Sequence, residues 1–179
     1  MLTFRTSSRF FAALMVSAIL YPRPALAQEA IGLAVGTKAP GAAVETLDGK
    51  PADVAQYIGK GPTVLEFWAT WCPLCRKLEP QMSVLRERYK GRVRFVSIGV
   101  PQNQTPEKQL EHVTKAAMGG EFLFDRNSAA IAAYKSPHTS YVVVVDAAGT
   151  VVYTGVGADQ DLEAAVKAAF AAPMKGRSN

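Results

Sequence analysis

The chain has 179 residues, 49% of them hydrophobic and 20% charged, an ordinary globular balance that points to one domain. Its formal net charge is +5, but Arg5, Arg9 and Arg23 fall in residues 1–27, which hold no acidic residue. Taking those three from the 20 basic side chains leaves 17 against 15 acidic ones, and so small an excess gives no argument for nucleic-acid binding.

In chain order, residues 1–27 read as a signal peptide. A positive start is followed by the short apolar run Phe10 to Leu20 and an A-x-A cleavage site at Ala25-Leu-Ala27. The run is short for a membrane span of about 20 residues; the rival reading is an uncleaved anchor, and either places the domain outside the cytoplasm. Residues 28–35 are expected to be a flexible lead-in, 36–172 one domain and 173–179 a disordered tail. Val44 to Lys50, turning at Asp48-Gly49, suggests an N-terminal β-hairpin, and Asp53 to Ile58 a short helix. Thr63 to Trp68 is apolar and β-compatible. The stripe Leu78, Met82, Leu85 and Tyr89 then predicts a helix that stops near Gly91. Met82 belongs to that core stripe.

Val93 to Val100 is a near-continuous apolar run, as in a buried parallel strand. Thr105 caps a helix that opens at Pro106 and runs to about Met118. His112, within it, reads as a surface residue. A short strand at Phe122 to Asp125 and a short helix at Ser128 to Tyr134 follow. A strand at Tyr141 to Val145 turns through Asp146 to Gly149 into Val151 to Tyr153. A last helix runs from Asp159, its expected cap, to Phe170. Strands alternating with helices predict an α/β fold with three α/β/α layers.

The only two cysteines, Cys72 and Cys75, fall where the first core strand turns into the helix. Free N–H groups and the positive end of the helix dipole favour an anion there, which lowers the pKa of Cys72 below the free thiol value of about 8.5. Cys72 is the expected nucleophile of disulfide exchange. Cys75, one turn in and expected to be the more buried, resolves the mixed disulfide. Pro73 fits the first turn, where an N–H is not needed. A structural zinc site would need four ligands, and there are no further cysteines. In an exported chain, one close pair closes too short a loop to act as a stabilising framework, which leaves redox work.

The segment Phe67-Trp-Ala-Thr-Trp-Cys72 with Pro80 resembles the thioredoxin superfamily, and within it the TlpA/ResA-type periplasmic branch. The segment from Gly36 to Pro40, with Asp48-Gly-Lys50, is similar to the start of TlpA-like and peroxiredoxin-like domains. The resemblance implies a thioredoxin-like fold with a central mixed β-sheet, and a TlpA-like insert between Val100 and Tyr134. It implies a periplasmic thiol-disulfide oxidoreductase that needs no cofactor. Glu66 would take the proton of the resolving thiol; Trp71, Pro73, Thr139 and Ser140 would meet the partner. Partners would be exported apoproteins with cysteine pairs, as in cytochrome or oxidase maturation, and an upstream thiol-disulfide electron donor. The membrane would be involved only through an uncleaved anchor. A peroxiredoxin would carry threonine three residues before the reactive cysteine, where Ala69 stands, with Thr70 one place off.

One departure is plain. Members of this superfamily place a cis-proline opposite the cysteines, and in TlpA-like members a tyrosine lies six residues before it and an aspartate six after. Tyr134 and Asp146 match, but the middle residue is Ser140. A cis bond before serine would cost about 3–4 kcal/mol, so a trans Thr139–Ser140 bond is expected. His138, eight residues before Asp146, resembles the ligand histidine of copper-binding Sco proteins. Two thiolates and an imidazole suit Cu(I), so the alternative is a copper-binding assembly factor using Cys72, Cys75 and His138.

Overall fold

A computed structural model describes residues 32–171. The signal-peptide, cleavage-site and C-terminal-tail readings fall outside these residues. Seven strands form one mixed sheet in the order β2-β1-β5-β4-β3-β6-β7. They are β1 Ala43–Thr46, β2 Pro51–Asp53, β3 Thr63–Trp68, β4 Arg94–Gly99, β5 Glu121–Phe124, β6 Tyr141–Val145 and β7 Val151–Val156. The helices are α1 Pro73–Arg88, α2 Pro106–Lys115, α3 Ala129–Ala133 and α4 Leu162–Ala171.

β3 pairs parallel with β4 and antiparallel with β6, and β4 pairs parallel with β5. Every residue of β3 and β6 is buried, as a strand covered on both faces requires. One core holds Leu78, Met82 and Leu85 of α1, Leu162 and Val166 of α4, and Val64, Val142 and Val144 of the sheet. The opposite core holds Leu65, Phe67, Val143 and Val145 with Val54 and α3's Ala130. The α/β/α expectation therefore holds. The N-terminal hairpin β1–β2 joins the sheet through the insert strand β5.

Several local expectations are corrected. The short helix after the hairpin is a single 3-10 turn, Val54–Tyr57, capped by Asp53, whose Oδ1 accepts from Ala55 N. α4 is capped by Asp161, which accepts from Ala164 N at 2.9 Å, not by Asp159. Asp125, from outside the helix, accepts from the N–H groups of Ala130 and Ile131 in α3, while Ser128 makes no cap bond. At the described end of the lead-in Leu33 is buried, and its N–H donates to the Tyr141 hydroxyl at 2.9 Å.

Candidate active site

β3 runs out at Trp68, paired with Gly99 of β4. The chain then turns through Ala69, Thr70 and Trp71 into α1. Cys72 is the N-cap, and its Sγ accepts from Cys75 N at 3.1 Å. Pro73 occupies the first helical position, so no donor is wasted there. Cys72 and Cys75 form a disulfide with Cα atoms 5.3 Å apart, an ordinary separation for such a bond. Both are buried, Cys72 at 1% exposure and Cys75 at 5%. The expectation that Cys75 lies deeper is therefore corrected: a cavity opens beneath α1, and Cys75 lines it. Around the sulfurs the surface is apolar. Trp71 is 43% exposed, and Leu74 and Pro73 are also exposed.

The turn is held from the loop after β4. Thr70 N donates to Gln104 Oε1 at 3.0 Å, and Gln104 Nε2 donates to the carbonyls of Val100 and Trp68. Trp71 Nε1 donates to Gln102 O at 2.8 Å. Gln104 is buried, and its amide serves three backbone groups at once. Sequence reasoning left it in an unassigned loop, since nothing in Pro101 to Thr105 marks a glutamine that folds back.

Glu66 lies mid-strand and 3% exposed, paired with Ser97 of β4 and Val142 of β6. Burial and the nearby Glu79 carboxylate push its carboxyl up to about 8, against the pull of Arg86. Glu79, one turn after Cys75 on α1, is pushed up by burial and pulled down by Arg86 and His112. It is ion-paired with Arg86, itself buried. Glu66, Cys75, Glu79 and His112 line the same cavity of about 260 Å³. His112 is half-buried, its ring 5.8 Å from that of Trp68, so the surface reading of this residue is corrected. It faces the cavity together with Ala116, the C-cap residue of α2 one turn on, and nothing in the sequence marked that face of the helix as turned toward β3.

Among the described residues there is no cis peptide bond, so Thr139–Ser140 is trans. Ser140 is fully buried at φ +63°. Its N–H donates to Phe67 O at 2.7 Å, its carbonyl accepts from Gln160 Nε2, and its Oγ accepts from Gly157 N. With those groups engaged inside the fold, Ser140 faces the protein. Thr139 is half-buried. Tyr134 donates to Pro40 O, and Asp146 accepts from Ala148 N and Thr150 N, so both brace the fold. His138 is exposed, and its carbonyl accepts from Ser136 Oγ. Among the described residues no three His, Cys, Asp or Glu side chains are grouped to hold a metal ion, and the copper alternative finds no support.

Comparison with known proteins agrees with this geometry. Thiol-disulfide oxidoreductase ResA of Geobacillus kaustophilus is 29% identical over 140 residues, 75% of this chain and 78% of the relative. The chain spans less than half the length of several other curated relatives that it matches. A thiol:disulfide interchange protein of the thioredoxin family from Chlorobium tepidum superposes with a TM-score of 0.62 at 28% identity, covering 76% of this chain and 97% of that one. A secreted Mycobacterium tuberculosis disulfide oxidoreductase, described as homologous to E. coli DsbE, gives 0.60 at 27%, covering 73% and 95%. The Redoxin family matches residues 34–170, well over half of the sequence. The chain therefore belongs to the Redoxin family, as a TlpA/ResA-like member of the thioredoxin superfamily.

Proposed function

We propose that this protein is an extracytoplasmic thiol-disulfide oxidoreductase that reduces disulfides of exported proteins and is recharged by an upstream thiol-disulfide donor. The observation that carries the reading is the pair itself: a disulfide at a helix start, with the Cys75 N–H directed at Cys72 Sγ. When the pair is reduced, that N–H and the helix dipole stabilise a thiolate on Cys72. The signal-like segment 1–27 supports export, and a relative of similar fold is described as secreted.

In the proposed cycle, the Cys72 thiolate attacks one sulfur of a partner disulfide. The partner's second sulfur leaves as a thiolate and takes a proton from solvent. Cys75 then gives its proton to Glu66 and attacks Cys72 Sγ. The Cys72–Cys75 bond forms, the Cys72–partner bond breaks, and the partner leaves with two thiols. Two electrons have moved from the protein to the partner. Trp71, Pro73 and Leu74 give an apolar rim against which a partner segment can dock. Thr139 flanks it in this reading, while Ser140 supports the rim from inside.

The test is a glutathione redox titration of the Cys72–Cys75 pair, with alkylation of the reduced protein at several pH values. A strongly negative potential and a Cys72 that is alkylated well below pH 8.5 are expected. A Cys72 that titrates like a free thiol, or a pair that does not equilibrate with glutathione, would overturn the reading. A potential near that of strong periplasmic oxidants would reverse the direction.

A further inference from the structure

The cavity behind the resolving cysteine has a use that the two sulfurs and Glu66 do not exhaust. Among the described residues Glu66 makes no hydrogen bond to another side chain, and it is enclosed by the sheet and α1. Glu66 can take the proton of Cys75 only when it is itself unprotonated, and with its carboxyl pushed up to about 8 it must first lose a proton to solvent near neutral pH. The way out is the cavity, whose volume of about 260 Å³ admits several waters. Its partly or fully exposed lining residues are Arg76, Glu79, His112, Ala116 and Met118.

Of these, Arg76 keeps its charge at any working pH, and Ala116 and Met118 carry no proton. Glu79, 27% exposed, is committed to its ion pair with Arg86. With Glu79 held there, His112 is the lining group that can accept a proton on one ring nitrogen and release one from the other. It is also coupled to the interior: His112 acts electrostatically on Glu79, and Glu79 on Glu66. The charged and titratable groups around it are Glu66 of β3, Arg76, Glu79 and Arg86 of α1, and Lys108, Glu111 and Lys115 of its own helix.

We propose that His112 is the outer member of a proton relay that carries the proton of Cys75 from Glu66 through the cavity to solvent. The inference rests on the oxidoreductase reading above. In the resolving step the Cys75 S–H bond breaks, and Glu66 holds the proton while the Cys72–Cys75 bond forms. The proton then crosses cavity water to the His112 imidazole, which releases another to bulk. When the pair is reduced again, the same route runs inward. His112 acts through Glu66 and not on the sulfurs, so it is a positioning residue of that step.

The experiment follows closure of the Cys72–Cys75 disulfide when the reduced full-length protein meets oxidised glutathione, by acid quench and mass spectrometry, between about pH 6 and 9. Wild type, His112→Gln, His112→Ala and Glu66→Gln are compared. Closure in both His112 variants should be about tenfold slower than in wild type, with the first attack by Cys72 unchanged. Added imidazole should restore closure in His112→Ala, which a purely structural role would not allow. In the wild type, the NMR titration midpoint of the His112 imidazole, assigned as the histidine signal that persists in His138→Gln, should coincide with the midpoint of the closure rate and should shift in Glu66→Gln. This last measurement needs no His112 variant to fold. Closure at the wild-type rate without His112, no response to imidazole, or midpoints that disagree would overturn the relay and leave the oxidoreductase reading standing. A wild-type protein that never closes its disulfide with glutathione would overturn both.

Discussion

At the scale of single residues, Glu66 and Ser140 both occupy buried positions that constrain which residue can stand there. A carboxyl at the centre of a buried strand is disfavoured as an anion, and its folded-state value of about 8 lies well above the ordinary 4.5. Between those values the unfolded chain has released the proton and the folded chain still holds it. Stability must therefore fall as pH rises through that window, by about 1.4 kcal/mol per pH unit from this group. Below 4.5 the penalty vanishes. Glu66→Gln removes the ionisable group, so the variant should be more stable than wild type near pH 8, by about 2 kcal/mol or more, and no more stable near pH 4. Urea unfolding at both pH values measures this; equal stability at pH 8 would mean that the carboxyl is not desolvated. Ser140 is the converse case. Proline cannot adopt φ +63°, and it lacks the N–H that reaches Phe67 O. Ser140→Pro, which would restore the residue usual in the superfamily, should cost about 3 kcal/mol or more. Ser140→Gly keeps the backbone free and loses only the hydroxyl bond to Gly157 N, for about 1 kcal/mol. If the two variants unfold at the same urea concentration, the backbone of Ser140 is not what holds this loop.

At the scale of elements, the site is a strand end and a helix start joined by a turn that cannot hold itself. Gln104 holds it, and Gln104→Ala would leave Thr70 N and the carbonyls of Val100 and Trp68 without their partner. A loss of about 2–3 kcal/mol is expected, together with a Cys72 thiolate absorbance that titrates higher than in wild type because the turn no longer fixes the helix start. An unchanged titration would show that α1 alone positions Cys72. The elements themselves were largely legible in the sequence. The apolar runs of β3, β4 and β6 could belong only to strands covered on both faces, and the stripe on α1 could face only a core. Thr105 and Pro106 marked the start of α2 because cap chemistry is local. It was less legible at α4, where Asp161 caps instead of Asp159, and at α3, whose N–H groups are met by Asp125 from outside the helix. Several acceptors lie within reach of each start, and tertiary packing chooses among them. The place of the sulfur pair at the strand-to-helix junction was legible from its spacing, and the position of Glu66 from the family resemblance alone. His112 and Gln104 were not, because they reach the site from α2 and its leading loop, and no spacing in the chain records that approach.

At the scale of the whole molecule, the redox state of one bond is coupled to the stability of the entire fold. Folding and disulfide formation share a thermodynamic cycle, so the form that the fold stabilises more sets the potential. In the reduced state the fold must keep two sulfurs buried beside a desolvated carboxyl, with the Cys75 N–H on Cys72 as the support that the geometry shows. A Cys72 thiolate and a Glu66 carboxylate would be two anions at one poorly solvated place. The disulfide carries no charge and removes one of them. The fold should therefore favour the oxidised form, the preference that the proposed reductant reading requires. The expected result is a higher urea midpoint for the oxidised protein than for the reduced one. The difference in unfolding free energy should match about 1.4 kcal/mol for every 30 mV by which the folded pair's potential lies below that of the unfolded pair. Because Glu66 is neutral below its folded-state value and charged above it, the gap should widen as pH rises past about 8. If the reduced protein proved the more stable across that range, the pair would be an oxidant, and the helix-start thiolate would outweigh the buried carboxylate in setting the direction of electron flow.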